Sequence, residues 1–191
     1  MSMLVDPSMI IQTTVTGQVA VEIEGRTETI EVRGDHKLAA GAEVLLFGPE
    51  KHDEGKGILA QLARLALIGE SKTLGGRVML RVSFFRVSGG SLGQGNEASL
   101  ATVKYPGNLE FDTSFEIATP EGVLYADTPM QLQGQLQNSE ATGTELHTEG
   151  AGSILVTAQG EQKGHLNKVE IRLGEATVGQ EAYVTLGSAI A

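Results

Sequence analysis

The sequence predicts a mainly β protein: an antiparallel β-sandwich or flattened barrel of about ten strands, with one amphipathic α-helix at about 57–69. Three observations carry this. From residue 9 onward apolar residues recur mostly with a period of two. Turn residues punctuate the second half at short, regular intervals, as in sandwiches and barrels. Glycine is abundant, 25 of 191 residues, about twice the usual ~7%.

The first strands announce themselves by alternation. Val19, Val21 and Ile23 share one face with Gln18, Glu22 and Glu24 opposite; Gly25-Arg26 reads as a turn, and Thr27 to Arg33 alternates again. Ala42 to Phe47 reads as a short apolar strand. The helix follows, because Ile58, Leu59, Leu62, Leu65, Ala66 and Ile68 cluster at three-to-four spacing and Gly69 suits a C-terminal cap.

Residues 76–88 read as one long strand, with Val78, Leu80, Val82 and Phe84 on one face and Arg77, Met79, Arg81, Ser83 and Phe85 on the other. Thirteen residues at ~3.3 Å would reach roughly 43 Å, so such a strand must bend, cross between sheets, or extend into a partner. Further strands are expected near 98–105, 109–118, 121–126, 130–137, 143–148, 153–159, 166–173 and 180–186, separated by turns such as Pro106-Gly107-Asn108 and Thr119-Pro120-Glu121-Gly122. The expected core takes Val19, Val21, Ile23, Val44, Leu46, Leu62, Leu65, Val78, Leu80, Val82, Phe84, Ile154, Val156, Val169 and Ile171. No linker divides the chain, so residues 1–191 read as one β-rich domain; the glycine-rich stretch 89–96 is the place for a break, and reads as a mobile connection.

Composition excludes several function classes. The formal net charge is −10, which argues against nucleic acid and anionic membrane surfaces, since both reward a basic face. With no cysteine, disulfides, thiolate metal sites and cysteine nucleophiles are absent. No tryptophan and three tyrosines leave few platforms for stacking sugars or bases. Nothing in the sequence reads as a secretory signal or a spanning helix, so a cytoplasmic location without membrane insertion is expected.

Candidate sites are few, and no cofactor is expected. Glu145, His147 and Glu149 alternate, which places all three on one strand face and makes them the best local acid–base cluster. His52 and Asp53, with Glu54 beside them, could ligate a metal, as could His147, but neighbours in sequence need distant help, from Asp35, His36 or His165. Loop 48–57 ends in Gly55-Lys56-Gly57 after an apolar strand; its spacing and its carboxylates depart from a phosphate-binding loop, and a nucleotide site is rejected.

Gly89-Gly90-Ser91-Leu92-Gly93 matches the Gly-x-Ser-x-Gly spacing of a nucleophile elbow, with Asp112, Asp127, His147 and His165 downstream. That chemistry needs a strained strand-to-helix turn, which the surrounding strand pattern does not offer. Arg77 and Arg81 share a strand face, where they could grip an anion or answer cross-strand glutamates.

The functional expectation is a non-enzymatic structural or binding domain acting as a homo-oligomer, its sheet edges open to self-association or a protein partner. The alternative is a small β-barrel enzyme with a pocket between sheet and helix, built on the Glu/His cluster with His165 or Arg81. Convergence of those residues in one concavity would favour the enzyme; scatter would favour the binding domain.

Overall fold

The strands wind round in sequence order until the last returns to pair with the first. In this computed structural model the structure describes residues 9–34, 41–46, 58–83, 88–92, 106–137 and 142–179. Among them are thirteen antiparallel strands in one sheet, and no helix. They are β1 (Met9–Ile23), β2 (Arg26–Gly34), β3 (Gly41–Leu46), β4 (Ile58–Ser71), β5 (Gly76–Val82), β6 (Ser88–Leu92), β7 (Gly107–Thr113), β8 (Phe115–Thr119), β9 (Gly122–Ala126), β10 (Met130–Leu136), β11 (Glu145–Thr148), β12 (Ser153–Val156) and β13 (Gln162–Gly179).

The register resolves these strands into eight staves of an up-and-down barrel. β1, β4 and β13 are unbroken; β2 with β3, β5 with β6, β7 with β8, β9 with β10 and β11 with β12 are staves divided at a common waist. The β1–β13 pairing, from Ile10↔Gly179 to Ile23↔Gly164, closes the ring. Closure satisfies both sides of β1, β4 and β13, so the abundant free edges expected from the sequence are spent inside the barrel.

At one end the staves meet in tight hairpins. Glu24 and Gly25 both hold positive φ (51° and 77°), the pattern of a type I′ turn between Ile23 and Arg26. The β4–β5 hairpin is pinned from outside by Glu28. Its carboxylate accepts from Ser71 Oγ (2.7 Å), from the backbone N–H groups of Lys72 (2.8 Å) and Thr73 (3.1 Å), and from Thr73 Oγ1. Burial alone would raise the Glu28 pKa, but these donors outweigh it and bring the carboxyl down to about 2.

At the waist, the divided staves carry hydroxyls: Ser83, Ser88, Thr113, Ser114, Thr128, Thr148 and Ser153. Where ladder bonds stop, two of these side chains take over. Ser153 Oγ accepts from Thr128 N (3.0 Å) and Thr148 Oγ1 from Val169 N (3.0 Å).

Inward positions make one continuous apolar core from every stave, including Ile11, Val19, Val32, Leu62, Leu80, Phe111, Phe115, Leu132, Leu155 and Val169. Each fully buried aliphatic or aromatic side chain there contributes about 1.5–3 kcal/mol.

Several sequence expectations are corrected. The helix at 57–69 is strand β4. Its ladder with β3 slips between Val44↔Leu62 and Glu43↔Arg64, so one extra residue shifts the inward phase. Ala60 and Leu62 point in before the bulge, Leu65 and Leu67 after it; the step of three between Leu62 and Leu65 imitated a helical period. The strand 76–88 is two strands, β5 and β6, both laid along β4. The glycine-rich stretch 89–96 is not a loop over its first half, since Gly89 to Leu92 lie in β6, paired with β4 and β7; its other half is outside the described residues.

The strand at 109–118 also divides, at Ser114, into β7 and β8. On β12 the phase is inverted: Ser153 and Leu155 face inward, while Ile154 is 36% exposed and Val156 half-buried. The strands expected at 98–105 and 180–186, and the side chains of Leu46 and Phe84, lie outside the described residues.

Candidate functional site

Alternation along β5, β8, β9 and β12 sends Arg81, Glu116, Tyr125 and Val156 to the outer face, each opposite the next in register. Neighbouring Val82, Phe115 and Ala126 point into the core. An outward glutamate would ordinarily be solvated, yet the Glu116 side chain is 3% exposed. Its Oε2 accepts from Arg81 Nε at 3.0 Å, and the Arg81 side chain keeps 25% of its exposure. Its other oxygen, Oε1, is buried with no hydrogen-bond partner among the described residues. A buried carboxylate oxygen left without a donor is costly, and marks a place where a further donor would be stabilising.

Glu116 borders a concavity of about 470 Å³ running from the waist to the β12–β13 turn. Val156 gives it an apolar wall, and Phe115 and Ala126 border it although their side chains point into the core; Glu116, Tyr125 and Asp127 give it polar groups. Hydroxyls of Ser83, Ser114 and Thr157 line it too, with Ala158 and Gly160, and among the described residues no Lys, Arg or His contributes. The size suits a small organic molecule.

The expected Glu/His cluster lies elsewhere. Glu145 and His147 border a shallow depression of about 420 Å³ with Gln18, Glu31, Glu170 and Arg172. It sits on a row of cross-strand neighbours, Glu31, Gln18, Glu170, His147, Gln133, Glu110 and Ser91, crossing seven staves on the outer face. His147 Nε2 and Glu149 Oε1 are 2.8 Å apart, with side chains 43% and 53% exposed, so water screens the contact. His165 faces Glu22 and Ile154, and Arg81 is paired with Glu116 on other strands. Glu145, His147 and Glu149 stay together on one open strand face, apart from His165 and Arg81.

Among the described residues no three His, Asp or Glu side chains gather as metal ligands. His52, Asp53, Glu54, Asp35 and His36 lie outside the described residues. Ser91 sits within strand β6, its Oγ 3.4 Å from Glu110 Oε1, so the strained strand-to-helix turn of a nucleophile elbow is absent there. Arg77 is exposed and opposite Glu70; Arg81 answers a cross-strand glutamate as expected, but a buried one. Glu116 and Tyr125 were missed as site residues. Their signal was the lone charge in the apolar run Phe115-Glu116-Ile117.

Residues 1–186 match the family of unknown function DUF6004. The chain belongs to DUF6004. No curated protein matches it. The fold of this DUF6004 member is similar to that of DynF, from the dynemicin biosynthesis pathway of Micromonospora chersina, with a TM-score of 0.69 at 13% sequence identity, covering 89% of this chain and 81% of DynF. At that identity the likeness concerns the fold alone. No helix among the described residues of the DUF6004 chain is long and apolar enough to cross a membrane.

Proposed function

We propose that this DUF6004 chain is a non-enzymatic binding barrel, and that its site is the outer concavity over Arg81 and Glu116. One observation carries the reading: Glu116 is buried and ion-paired, yet retains an unpartnered carboxylate oxygen beside a space of ligand size. A purely structural pair would gain by filling that last bond or by giving way to apolar residues. The fold shared with a biosynthetic-pathway protein, DynF, is compatible with a small organic ligand.

The enzyme alternative has less support. Its Glu145, His147 and Glu149 lie on an open strand face away from His165 and Arg81, and the His147–Glu149 contact is solvated. Self-association is kept as a separate part of the proposal; with the ring closed it would use the outer face and not strand edges, and sedimentation equilibrium tests it.

The groove reading is tested by a thermal-shift screen of small molecules against the wild-type chain and Val156→Trp, which fills the groove from its wall. Hits are expected to lose their shift in the variant while its own melting stays cooperative. Hits that persist unchanged, or a screen with none, would overturn the reading.

A further inference from the structure

We infer that the groove over Glu116 takes an organic ammonium ion, an amine carried on an apolar body. This rests on the groove reading above and adds the ligand's chemical class.

The charged groups of the lining are two carboxylates, Glu116 and Asp127. An ionised carboxylate only accepts hydrogen bonds. Glu116 Oε2 is already engaged by Arg81, so the acceptor left without a donor among the described residues is the buried Oε1. Asp127 lies exposed at the waist end of the groove and makes no ion pair among the described residues.

An anionic ligand would meet the Asp127 charge and a Glu116 carboxylate whose Arg81 partner is already engaged, with no cation among the described lining residues, an arrangement that disfavours it. A neutral alcohol could satisfy Oε1, but would draw nothing from the Asp127 charge. An ammonium group supplies several donors and one positive charge, and so uses both carboxylates at once. Tyr125, half-buried in the lining, presents the aromatic surface that attracts a cation. Val156 and Ala158 meet the apolar body. The chain's net charge of −10 raises the local concentration of a cation further.

The probe set is three molecules of similar shape: 2-phenylethylamine, 2-phenylethanol and 3-phenylpropanoate, each titrated calorimetrically into the full chain. The amine is expected to bind about tenfold or more tightly than the alcohol, the worth of a charged hydrogen bond, with no binding of the carboxylate. Asp127→Asn, at an exposed position, should weaken the amine severalfold and leave the alcohol unchanged; 0.5 M NaCl should weaken the amine only. Glu116→Gln, where circular dichroism shows it folded, should lose the amine preference, and the Asp127 variant decides the matter if it does not fold.

Equal binding of alcohol or carboxylate would overturn the ammonium assignment while leaving the groove reading intact. Amine binding indifferent to Asp127→Asn and to Tyr125→Ala would place the amine elsewhere and also overturn it. Binding of none of the three would overturn it as well; the groove reading then stands or falls on the Val156→Trp screen alone.

Discussion

A Cβ built on Gly90 would lie 1.7 Å from the carbonyl oxygen of Glu110. The two residues sit on adjacent staves, Gly90 paired with Phe111 and Ser91 with Glu110, and the backbone of β7 occupies the volume a side chain would need. Gly134 repeats the relationship against Glu145, whose oxygen would lie 2.0 Å from a Cβ. These creases let the strands coil tightly around the barrel.

Gly90→Ala should therefore destabilise the fold by about 3 kcal/mol or more, since the obstructing atom is backbone that cannot rotate away. The residue beside it gives the control. A Cβ on Gly89 meets nothing within 4 Å, so Gly89→Ala should be neutral or stabilising by about 0.5–1 kcal/mol through the unfolded chain. Urea unfolding of the two variants separates them; equal midpoints would refute the crease.

These glycines also show how far the sequence was legible. Alternation in Gln18–Glu24 and Thr27–Arg33 marked a hairpin, because each strand has one dry and one wet face. The composition of Gly89-Gly90-Ser91 read as a mobile loop, because a glycine needed for close backbone approach and a glycine tolerated in a flexible loop look the same in one dimension. β4 was misread for a related reason: the bulge between Leu62 and Arg64 is set by pairing with β3, a tertiary fact. The site was less legible still. Arg81 and Glu116 stand 35 positions apart, and only the register of β5 on β8 makes them partners. Glu145, His147 and Glu149 did share a stretch of chain, but a shared strand face on the outside of a barrel is open to water.

Glu28 makes the stability of the β4–β5 hairpin depend on pH. Its pKa is about 2 in the folded chain against an ordinary 4.5. Because the folded value is depressed, the stabilisation is fully present above about pH 4.5, and is lost as the pH falls towards 2. Glu28→Gln should flatten that segment of the acid-unfolding profile, and lower stability at pH 7 by about 1–2 kcal/mol, a modest figure because the site is only part-buried. Unfolding curves of wild type and variant that stay parallel from pH 7 to pH 2 would show that the carboxylate carries no such role.

His147 and Glu149 should prove dispensable for folding. Their contact at 2.8 Å is exposed on both sides, and solvated pairs are worth about 0–1 kcal/mol. His147→Ala with Glu149→Ala should shift the urea midpoint by no more than that, with less effect in high salt. A loss above about 2 kcal/mol would reveal a role that the geometry does not display.

Arg81 and Glu116 should behave in the opposite way. Removing the arginine leaves a carboxylate with a side chain 3% exposed, and neither oxygen of Glu116 would keep the donor seen at Oε2. Arg81→Met should cost about 3–5 kcal/mol, the penalty of an unpaired buried charge. Glu116→Leu introduced into that variant should restore most of the loss, since two apolar side chains of similar volume need no partner, and would at the same time abolish the proposed ligand site. The double variant thus separates stability from binding: a well-folded barrel that no longer distinguishes an amine from its alcohol. A thermodynamic cycle over the four proteins measures the coupling. A coupling energy near zero would mean that the pair does not hold the groove floor, and that burial of Glu116 has another cause.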